Sequence, residues 1–145
     1  MGQKIKNKRP LVSIIIRGKN ESRWLKILFR ELKKQSYRNF EIIYCDNLST
    51  DNSVNVAKRN YVNRILKISN YTPGKALNKG IKKSKGKYVI ILSSHCIPSN
   101  NDWIKNYIEY MESNSDLVAA SGRQLPLPGT STKDLLDLDI VFSSM

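Results

Sequence analysis

The sequence predicts an α/β domain in which helices cover both faces of a mainly parallel central sheet. Short runs of apolar, often β-branched residues are typical of strands that are buried on both faces of such a sheet. Segments with apolar residues at every third or fourth position separate these runs, and that spacing indicates amphipathic helices. The chain has 145 residues, which fits one domain. Because strands and helices alternate, the connections are predicted to be right-handed βαβ crossovers.

Five segments have the composition of strands, and the fifth has the weakest pattern. In chain order they are 11–16, 40–45, 64–68, 88–92 and 117–120. The first reads Leu-Val-Ser-Ile-Ile-Ile and the fourth Tyr-Val-Ile-Ile-Leu, so each is an almost continuous apolar run. Such runs suit strands that have helices packed on both sides.

Four helices are predicted between and after these strands from the spacing of their apolar side chains. The residues that carry the periodicity are Trp24, Leu25, Leu28 and Leu32, then Val54, Ala57 and Tyr61, then Ala76, Leu77, Gly80 and Ile81, and finally Trp103, Ile104, Tyr107, Ile108 and Met111. Asn20, Asp51 and either Asn100 or Asn101 are predicted to mark helix starts. Gly86 is predicted to end the third helix.

The charge of the chain points to anionic partners. Lys and Arg number 25 against 12 Asp and Glu, which gives a net charge of +13. Such a charge favours phosphates, nucleic acids or acidic lipid headgroups. The alternative is a solvated surface that only reflects a Lys- and Asn-rich composition, and it stays open. The main domain is predicted over 11–126, after a basic tail at 1–10, and 127–145 has the pattern of one further amphipathic segment.

The two cysteines and the short apolar runs indicate the cellular compartment of the protein. Cys45 and Cys96 are the only cysteines, too few for a disulfide framework. If the second and fourth strands flank the first, the two side chains lie about 10 Å apart, beyond disulfide reach. No apolar run is long enough for a signal peptide or a membrane span. These features predict a cytoplasmic protein with at most a peripheral membrane association.

The first strand is followed by Arg17-Gly-Lys-Asn-Glu21, a loop that narrows the nucleotide-binding alternatives. It lacks the Gly-x-Gly-x-x-Gly pattern that lets a dinucleotide-binding backbone approach a pyrophosphate, and the chain has no Walker A loop. What remains is a fold that holds a nucleotide through side chains and a metal. In open α/β sheets the ligand lies beyond the carboxyl ends of the strands, which is where this loop is predicted.

Two carboxylates follow the second strand and have different predicted roles. Asp46 comes directly after a buried strand, where a carboxylate can accept hydrogen bonds from a base or a ribose. Asp51 stands at the start of the next helix, and we predict that it caps the helix.

Four sequence blocks together resemble the family 2 glycosyltransferases with the GT-A fold. They are Val12–Glu21, Phe40–Asp51, Gly74–Gly80 and Lys85–Leu92, and the resemblance extends from about Leu11 to Pro126. It implies a Rossmann-like three-layer sandwich, with 11–126 as the nucleotide-sugar-binding domain. It also implies a truncated fold, in which 127–145 begins an incomplete acceptor half.

The resemblance implies a nucleoside-diphosphate sugar as donor, with uridine or thymidine as the nucleoside. The residues that it places around the donor are Arg17, Asn20, Glu21, Asp46, Lys75, Asn78, Ser93, Ser94 and Arg123. Lys75 also suits a diphosphate on chemical grounds, because it stands at the start of a predicted helix. A solvated lysine at position 75 and a surface arginine at position 123 are the alternatives.

The family's Asp-x-Asp motif, which ligates a divalent cation, is replaced by Ser93-Ser94-His95. Serine and histidine alone serve Mg²⁺ poorly, whereas imidazole binds Mn²⁺ or Zn²⁺. His95 is the only histidine of the chain and the candidate metal ligand, although a lone loop histidine is often not a ligand. A Mn²⁺ or Mg²⁺ cofactor is therefore a weak expectation.

The function predicted from the resemblance is inverting transfer of a sugar to a polysaccharide, a lipid or another acceptor. Such transfer needs a general base, which the family carries in its later half, so no catalytic residue is assigned here. Asp134, Asp137 and Asp139 have the spacing of a solvated helix face. One alternative is a catalytically inactive nucleotide-binding or scaffold domain. A weaker alternative is a nucleic-acid-binding module, for which no recognition motif is present.

Overall fold

The computed structural model describes residues 9–60 and 62–125. The chain divides into two compact units with the boundary between Glu109 and Tyr110. The predicted domain boundary at Pro126, the segment 127–145 and the predicted tail up to Lys8 lie outside the described residues. Tyr61 of the second predicted helix lies outside them as well.

A four-stranded parallel sheet forms the centre of the first unit. Its strands are β1 (Val12–Gly18), β2 (Phe40–Asp46), β3 (Arg64–Lys67) and β4 (Tyr88–Ser93). Their order across the sheet is β3-β2-β1-β4, and every neighbouring pair is parallel. The predicted α/β class with a parallel sheet is thereby confirmed. β1 and β2 are almost entirely buried because each has another strand on both sides.

Four helices follow the strands and cover both faces of the sheet. They are α1 (Ser22–Lys33), α2 (Ser53–Arg59), α3 (Pro73–Ile81) and α4 (Trp103–Ser113). Alternate residues of β1 enter different cores: Ile14 and Ile16 pack in the core that contains α1, α2 and the first half of α4, and Ile15 packs in the core under α3. The three layers predicted from the sequence are present. In the part of the chain that the structure describes, no helix is long and apolar enough to cross a membrane.

A glycine allows α3 to lie close to the sheet. A Cβ atom at Gly80 would come within 2.7 Å of Ile15 Cγ2 and 3.2 Å of Cys45 Sγ. The thiol of Cys45 is buried and donates to the carbonyl of Ala76 at 3.4 Å, and burial raises its pKa to about 11. Both Cys45 and Cys96 are free thiols, as predicted.

The predicted role of Gly86 is wrong, because α3 ends at Ile81 and Gly86 lies beyond a following turn. Gly86 instead approaches β1, where a Cβ would stand 2.5 Å from the backbone nitrogen of Ser13. The Gly86 N–H donates to Ser13 Oγ at 2.8 Å, and that hydroxyl donates to the buried Glu41 carboxylate at 2.6 Å. The backbone before β4 is therefore fixed by polar side chains of β1 and β2.

The start of α4 also differs from its prediction. The helix begins at Trp103, and the Ile104 N–H donates to the buried Gln35 side chain at 3.1 Å. Gln35 Nε2 donates in turn to the Asn100 carbonyl at 2.7 Å. A glutamine distant in sequence satisfies this helix end, so local capping signals at Asn100 and Asn101 misplace it.

The fifth predicted strand is wrong, since residues 117–120 form no strand. A strand is held by hydrogen bonds to a neighbouring strand. None of the strand pairs among the described residues includes this segment. Val118 is 99% exposed, so its apolar side chain gains nothing from burial.

Candidate functional site

The carboxyl ends of the strands bring most of the predicted site residues to one rim of the sheet. Gly18 pairs with Asp46 across β1 and β2, and Arg17 pairs with Ser93 across β1 and β4. Asp46 also pairs with Lys67 of β3. The loops that follow β1, β2 and β4 therefore start side by side, as expected for a ligand site of a parallel sheet.

The loops after β1 and β2 are joined by backbone-to-side-chain hydrogen bonds. Asn20 has a left-handed backbone, with φ of 55°, and its side-chain oxygen accepts from the Thr50 N–H at 2.8 Å and the Asp51 N–H at 3.3 Å. In return, the Asn20 N–H donates to Ser49 Oγ at 3.0 Å, and the Glu21 N–H donates to Ser53 Oγ at 2.8 Å. The side chain of Asn20 thus connects two loops of the rim.

Asp51 contacts the first turns of two helices, but it lies one residue before the N-cap position of α2, which is Asn52. One carboxylate oxygen accepts from the Ser53 N–H of α2 at 2.9 Å, and the other accepts from the Ser22 N–H of α1 at 3.0 Å. Desolvation alone would raise the pKa of Asp51, but the hydrogen bonds from Ser53 and Ser22 outweigh it and lower the pKa to about 2. The ionised form is therefore favoured in the folded protein.

Asp46 lies at the rim but is only 1% exposed. Its carboxylate accepts from the Ser49 N–H at 3.2 Å and from the Tyr44 hydroxyl at 3.3 Å. Burial beside this carboxylate raises the pKa of Tyr44 above its ordinary range. In this arrangement the buried carboxylate of Asp46 holds the backbone of the loop after β2.

The turn after β4 is fixed against β1 by Ser94. Its buried hydroxyl and its N–H both reach the Arg17 carbonyl, at 2.8 Å and 3.1 Å. Gly18 makes this approach possible, because a Cβ there would stand 1.9 Å from Ser94 Oγ and 3.4 Å from Glu21 Cγ. Ser93, the last residue of β4, is half-buried beside this turn.

Glu21 and His95 meet across the rim, at the position where the resemblance places the acidic motif. His95 Nδ1 lies 3.4 Å from Glu21 Oε1, and the two side chains are 58% and 24% exposed. Both groups are therefore open to solvent and face each other from loops that are themselves fixed. This pair is the closest approach of a carboxylate to the Ser93-Ser94-His95 turn among the interactions that the structure describes.

The loop between β3 and α3 reaches the same rim through Arg17. The guanidinium donates to the Tyr71 hydroxyl at 3.2 Å. Lys75, in the first turn of α3, donates from Nζ to the carbonyls of Ser69 at 2.9 Å and Asn70 at 3.3 Å. Thr72 caps this helix by accepting from the Lys75 N–H at 3.2 Å. Two cationic side chains, one near the end of β1 and one in the first turn of α3, therefore contact the β3–α3 loop.

Two predicted site residues lie outside the loops that follow β1, β2 and β4. Asn78 lies one turn beyond the start of α3 and is exposed. Arg123 is exposed and belongs to the second unit of the chain.

The side chains of the rim do not suit every divalent cation. No group of three or more His, Cys, Asp or Glu side chains is arranged to hold a metal among residues 9–60 and 62–125. A hard Mg²⁺ ion prefers several oxygen ligands in octahedral geometry, which these residues do not supply. The pair of Glu21 and His95 offers one carboxylate and one imidazole, a set that fits Mn²⁺ or Zn²⁺.

Sequence reasoning missed the residues that connect the loops. Ser49, Ser53 and Tyr71 make the hydrogen bonds that join the rim segments, and none was a predicted site residue. Ser53 is fully buried although it is polar. No local pattern marks such residues, because their partners are 29 to 54 positions away in the chain.

The chain is similar to known glycosyltransferases in sequence. The family model of glycosyl transferase family 2 matches residues 13–137. An uncharacterised glycosyltransferase of Haemophilus influenzae is 29% identical over an aligned length of 136 residues, and the match covers 86% of this chain and 54% of that protein. The Escherichia coli UDP-Glc:alpha-D-GlcNAc-diphosphoundecaprenol beta-1,3-glucosyltransferase WfaP is 35% identical over an aligned length of 109 residues, and the match covers 70% of this chain and 41% of that protein.

Solved structures show the same fold at lower sequence identity. The structure of Staphylococcus aureus TarS 1-349 in complex with UDP-GlcNAc matches with a TM-score of 0.65 at 22% sequence identity. The match covers 80% of this chain and 37% of the TarS chain. The structure of the mannosyltransferase PcManGT of Pyrobaculum calidifontis, in complex with GDP-Man and Mn²⁺, matches with a TM-score of 0.66 at 19% sequence identity. The match covers 72% of this chain and 33% of the PcManGT chain. The expected GT-A fold is confirmed by these similarities.

The chain spans about half the length of the Haemophilus relative and less of the others. Its match to the family model nevertheless begins in β1 and continues through all four strands and helices. This chain therefore belongs to glycosyl transferase family 2.

Proposed function

We propose that this chain binds a nucleoside-diphosphate sugar at the carboxyl rim of the sheet, for inverting transfer of the sugar to an acceptor. The observation that carries the proposal is the convergence of the loops after β1, β2 and β4 on one rim, with Arg17 linking the β3–α3 loop to it. Membership of family 2 supplies the reaction class.

The cations of the rim are assigned to the diphosphate of the donor. The Lys75 ammonium has three donor hydrogens, and it lies in the first turn of α3, where backbone N–H groups also favour an anion. Arg17 is half-buried, so its charge is screened less by water than that of a surface arginine. Asn78 and Ser93 provide neutral hydrogen-bonding groups for the donor.

Glu21 and the loop after β2 are assigned to the nucleoside. In this proposal Asn20, Asp46 and Ser94 act chiefly as positioning residues, because their side chains already hold backbone groups of the rim. The donor nucleoside is proposed to be uridine, since the E. coli relative is named for UDP-Glc and the TarS structure contains UDP-GlcNAc. Thymidine is the second choice.

The acceptor is proposed to be lipid-linked. The name of the E. coli relative specifies a diphosphoundecaprenol-linked sugar as its acceptor. A lipid-linked acceptor lies at a membrane surface, and the +13 charge of this chain suits a peripheral contact with anionic headgroups. A cytoplasmic location of the protein is part of the same proposal.

Isothermal titration calorimetry with UDP, TDP and GDP tests donor binding. UDP is expected to bind, and Lys75→Ala is expected to weaken binding about tenfold, because a hydrogen bond to a charged group contributes about 1.5 kcal/mol. Lys79→Ala is the matched control, since Lys79 lies one turn further along α3 and donates to the Lys67 carbonyl. Absence of heat with all three nucleotides would contradict the proposal.

A second candidate, a catalytically inactive binding domain, is favoured by the serine and histidine that replace the family's acidic motif. UDP release from UDP-glucose in the presence of a diphosphoundecaprenol-linked acceptor distinguishes the two candidates. Nucleotide binding without release of UDP would favour the inactive domain, and acceptor-dependent release would exclude it.

A further inference from the structure

One side of β4 is apolar and open to solvent. Successive residues of the strand point to opposite faces of the sheet. Tyr88, Ile90 and Leu92 pack against the core that contains α1 and α4. Val89 and Ile91 point to the other face, where they are 38% and 50% exposed. β4 therefore has the apolar residues of a strand that is covered on both faces, but the described residues cover only one of them fully.

The exposed side of β4 lies next to α3. Gly80 faces Ile15 of β1, and Ile15 pairs with Ile91 of β4. Neighbouring residues of a helix are about 100° apart around its axis, so Lys79 and Ile81 lie on opposite flanks of α3. Lys79 donates to a carbonyl of β3 at 3.0 Å. Because β3 and β4 are at opposite ends of the strand order, Ile81 lies on the flank toward β4, and it is 42% exposed.

These side chains form an apolar strip that lysines border. The apolar strip consists of Ile81, Val89 and Ile91. Lys82 and Lys83 follow α3 directly, Lys85 lies in the turn before β4, and all three are exposed. No residue from 52 to 101 is acidic. In α3 and the described strands, the one acidic side chain on this face is Glu41, which is buried and accepts from Ser13 and from the Lys85 N–H.

The combination of charge and exposed apolar surface distinguishes this part of the molecule. Charge alone does not, because α1 and α2 also carry exposed lysines. Four large apolar side chains are exposed among the described residues up to Glu109, and three of them form the strip. The fourth, Leu48, lies in the loop after β2. Lysines beside apolar side chains suit an anionic bilayer surface, because lipid phosphates attract the ammonium groups and the acyl boundary accepts the apolar groups.

We propose that the apolar strip, with Lys82, Lys83 and Lys85, is the surface on which the protein lies against a bilayer that contains anionic phospholipid. This inference rests on the proposed function, whose lipid-linked acceptor requires a membrane contact. The lysines lie among the lipid phosphates, and the strip reaches the boundary between headgroups and acyl chains. β4 is the outermost strand of the described sheet, and at this depth water still reaches its backbone.

The surface leads directly to the proposed donor site. Ser93 ends β4 at the rim, two residues beyond Ile91, which is about 7 Å along a strand. A lipid-linked acceptor carries its diphosphate and its sugar at the bilayer surface. A protein that lies on the strip therefore holds its rim within reach of that sugar while the lipid stays in the membrane.

Titration with vesicles of phosphatidylglycerol and phosphatidylcholine tests the lysines. At about 50 mM salt, Lys82→Gln with Lys83→Gln is expected to weaken vesicle binding about tenfold or more, because each lysine at an anionic surface adds to the attraction. Lys26→Gln with Lys58→Gln is the matched control. It removes the same charge from exposed positions of α1 and α2, and it should weaken binding by less than about threefold.

The apolar contribution is measured where salt screens the charges. Val89→Thr with Ile91→Thr keeps β-branched side chains in the strand and removes apolar surface. This pair is expected to weaken vesicle binding about fivefold at about 200 mM salt, where the effect of the lysine pair becomes smaller. Thermal unfolding confirms that each variant is folded before its binding is compared.

Fluorescence quenching by brominated lipids locates the surface independently of affinity. The Ile81→Trp variant is expected to show added emission that brominated acyl chains quench, because the strip reaches the acyl boundary. Lys58→Trp places a tryptophan on α2 as the control, and its added emission should stay unquenched. Trp24 and Trp103 of the unchanged protein give the background signal.

Three results would overturn the proposed surface. They are equal weakening by the two lysine pairs, unquenched emission of Ile81→Trp, and displacement of the vesicles by RNA that the threonine pair does not alter. Calorimetry with UDP separates the surface from donor binding, since all these variants should bind UDP like the unchanged protein. UDP binding without any vesicle binding refutes the surface alone, whereas vesicle binding through the strip without UDP binding refutes the proposed function.

Discussion

At the scale of single residues, Asp51 and Asn20 show how the rim is built from side chains that reach across the chain. Asp51 accepts hydrogen bonds from the first turns of α1 and α2, and Asn20 accepts from two backbone groups of the loop after β2. Each residue connects the loop after β1 with the loop after β2. The position of the rim therefore depends on a few polar contacts, and their removal should change stability measurably.

Asp51→Ala is expected to lower the free energy of unfolding by about 1–2 kcal/mol near neutral pH, the usual range for a lost helix cap. The folded-state pKa of about 2 lies below the ordinary value of 3.8, so the stabilisation is present above about pH 4 and is lost as pH falls toward 2. Urea unfolding at about pH 7 and about pH 3 checks this sign. A deficit that is equal at both pH values would contradict it, and Asp116→Ala is the surface control.

The backbone and the side chain of Asn20 make contributions to stability that two substitutions measure separately. Asn20→Gly keeps the left-handed backbone and loses the side-chain acceptor, so it should cost about 1 kcal/mol. Asn20→Ala also loses backbone compatibility and should cost about 1–2 kcal/mol more. Urea unfolding of both variants gives the two contributions. Equal stability of the alanine and glycine variants would show that the backbone conformation carries no cost.

At the scale of elements, the contact between α3 and the sheet depends on the absence of one side chain. Gly80 faces Ile15 and Cys45 at distances that leave no room for a Cβ, while Gly74 in the first turn of the same helix has nothing within 4 Å of a Cβ. An alanine substitution is therefore expected to have opposite effects on stability at the two glycines of α3.

Gly80→Ala is expected to destabilise the protein by about 1–3 kcal/mol through overpacking, despite the better helix propensity of alanine. Gly74→Ala is expected to stabilise it by about 0.5–1 kcal/mol, because the helix gains propensity without a clash. Thermal unfolding of the two variants provides the comparison. A stabilising Gly80→Ala would show that α3 moves away from the sheet at little cost.

At the scale of the whole molecule, charge is distributed unevenly along the chain. Residues 52–101 contain no Asp or Glu and ten Lys or Arg, namely Lys58, Arg59, Arg64, Lys67, Lys75, Lys79, Lys82, Lys83, Lys85 and Lys87. This stretch forms α2, β3, α3 and β4, which include both edge strands of the described sheet. The positive charge of this stretch suits the peripheral membrane contact of the proposed function.

We expect the protein to sediment with vesicles that contain anionic phospholipid and not with vesicles of neutral lipid alone. Binding should fall strongly between about 50 mM and about 200 mM salt, because added ions screen the surface charges. Vesicle co-sedimentation at both salt concentrations measures this. Equal binding to neutral vesicles, or a preference for RNA over anionic vesicles in competition, would contradict the membrane contact.

Local sequence patterns are sufficient to predict the layered α/β fold and the loops at the carboxyl rim of its sheet. Buried strands require continuous apolar runs, and those runs are visible without any knowledge of their neighbours, so β1 to β4 were predicted to within two residues. Helix boundaries were less predictable, because the start of α4 depends on Gln35 and that of α1 on Asp51. Segment 117–120 had a strand's composition but pairs with no strand among the residues that the structure describes.

Local patterns do not reveal which rim side chains face solvent and which form hydrogen bonds between the loops of the rim. Asp46, Asn20 and Ser94 are polar residues at the expected positions, yet their hydrogen bonds go to backbone groups of other loops. Glu21 and His95 are 74 positions apart, and it is the parallel pairing of β1 with β4 that brings them to 3.4 Å. The physical reason is that composition reveals burial, whereas a hydrogen-bonding partner is fixed by the path of the chain in space.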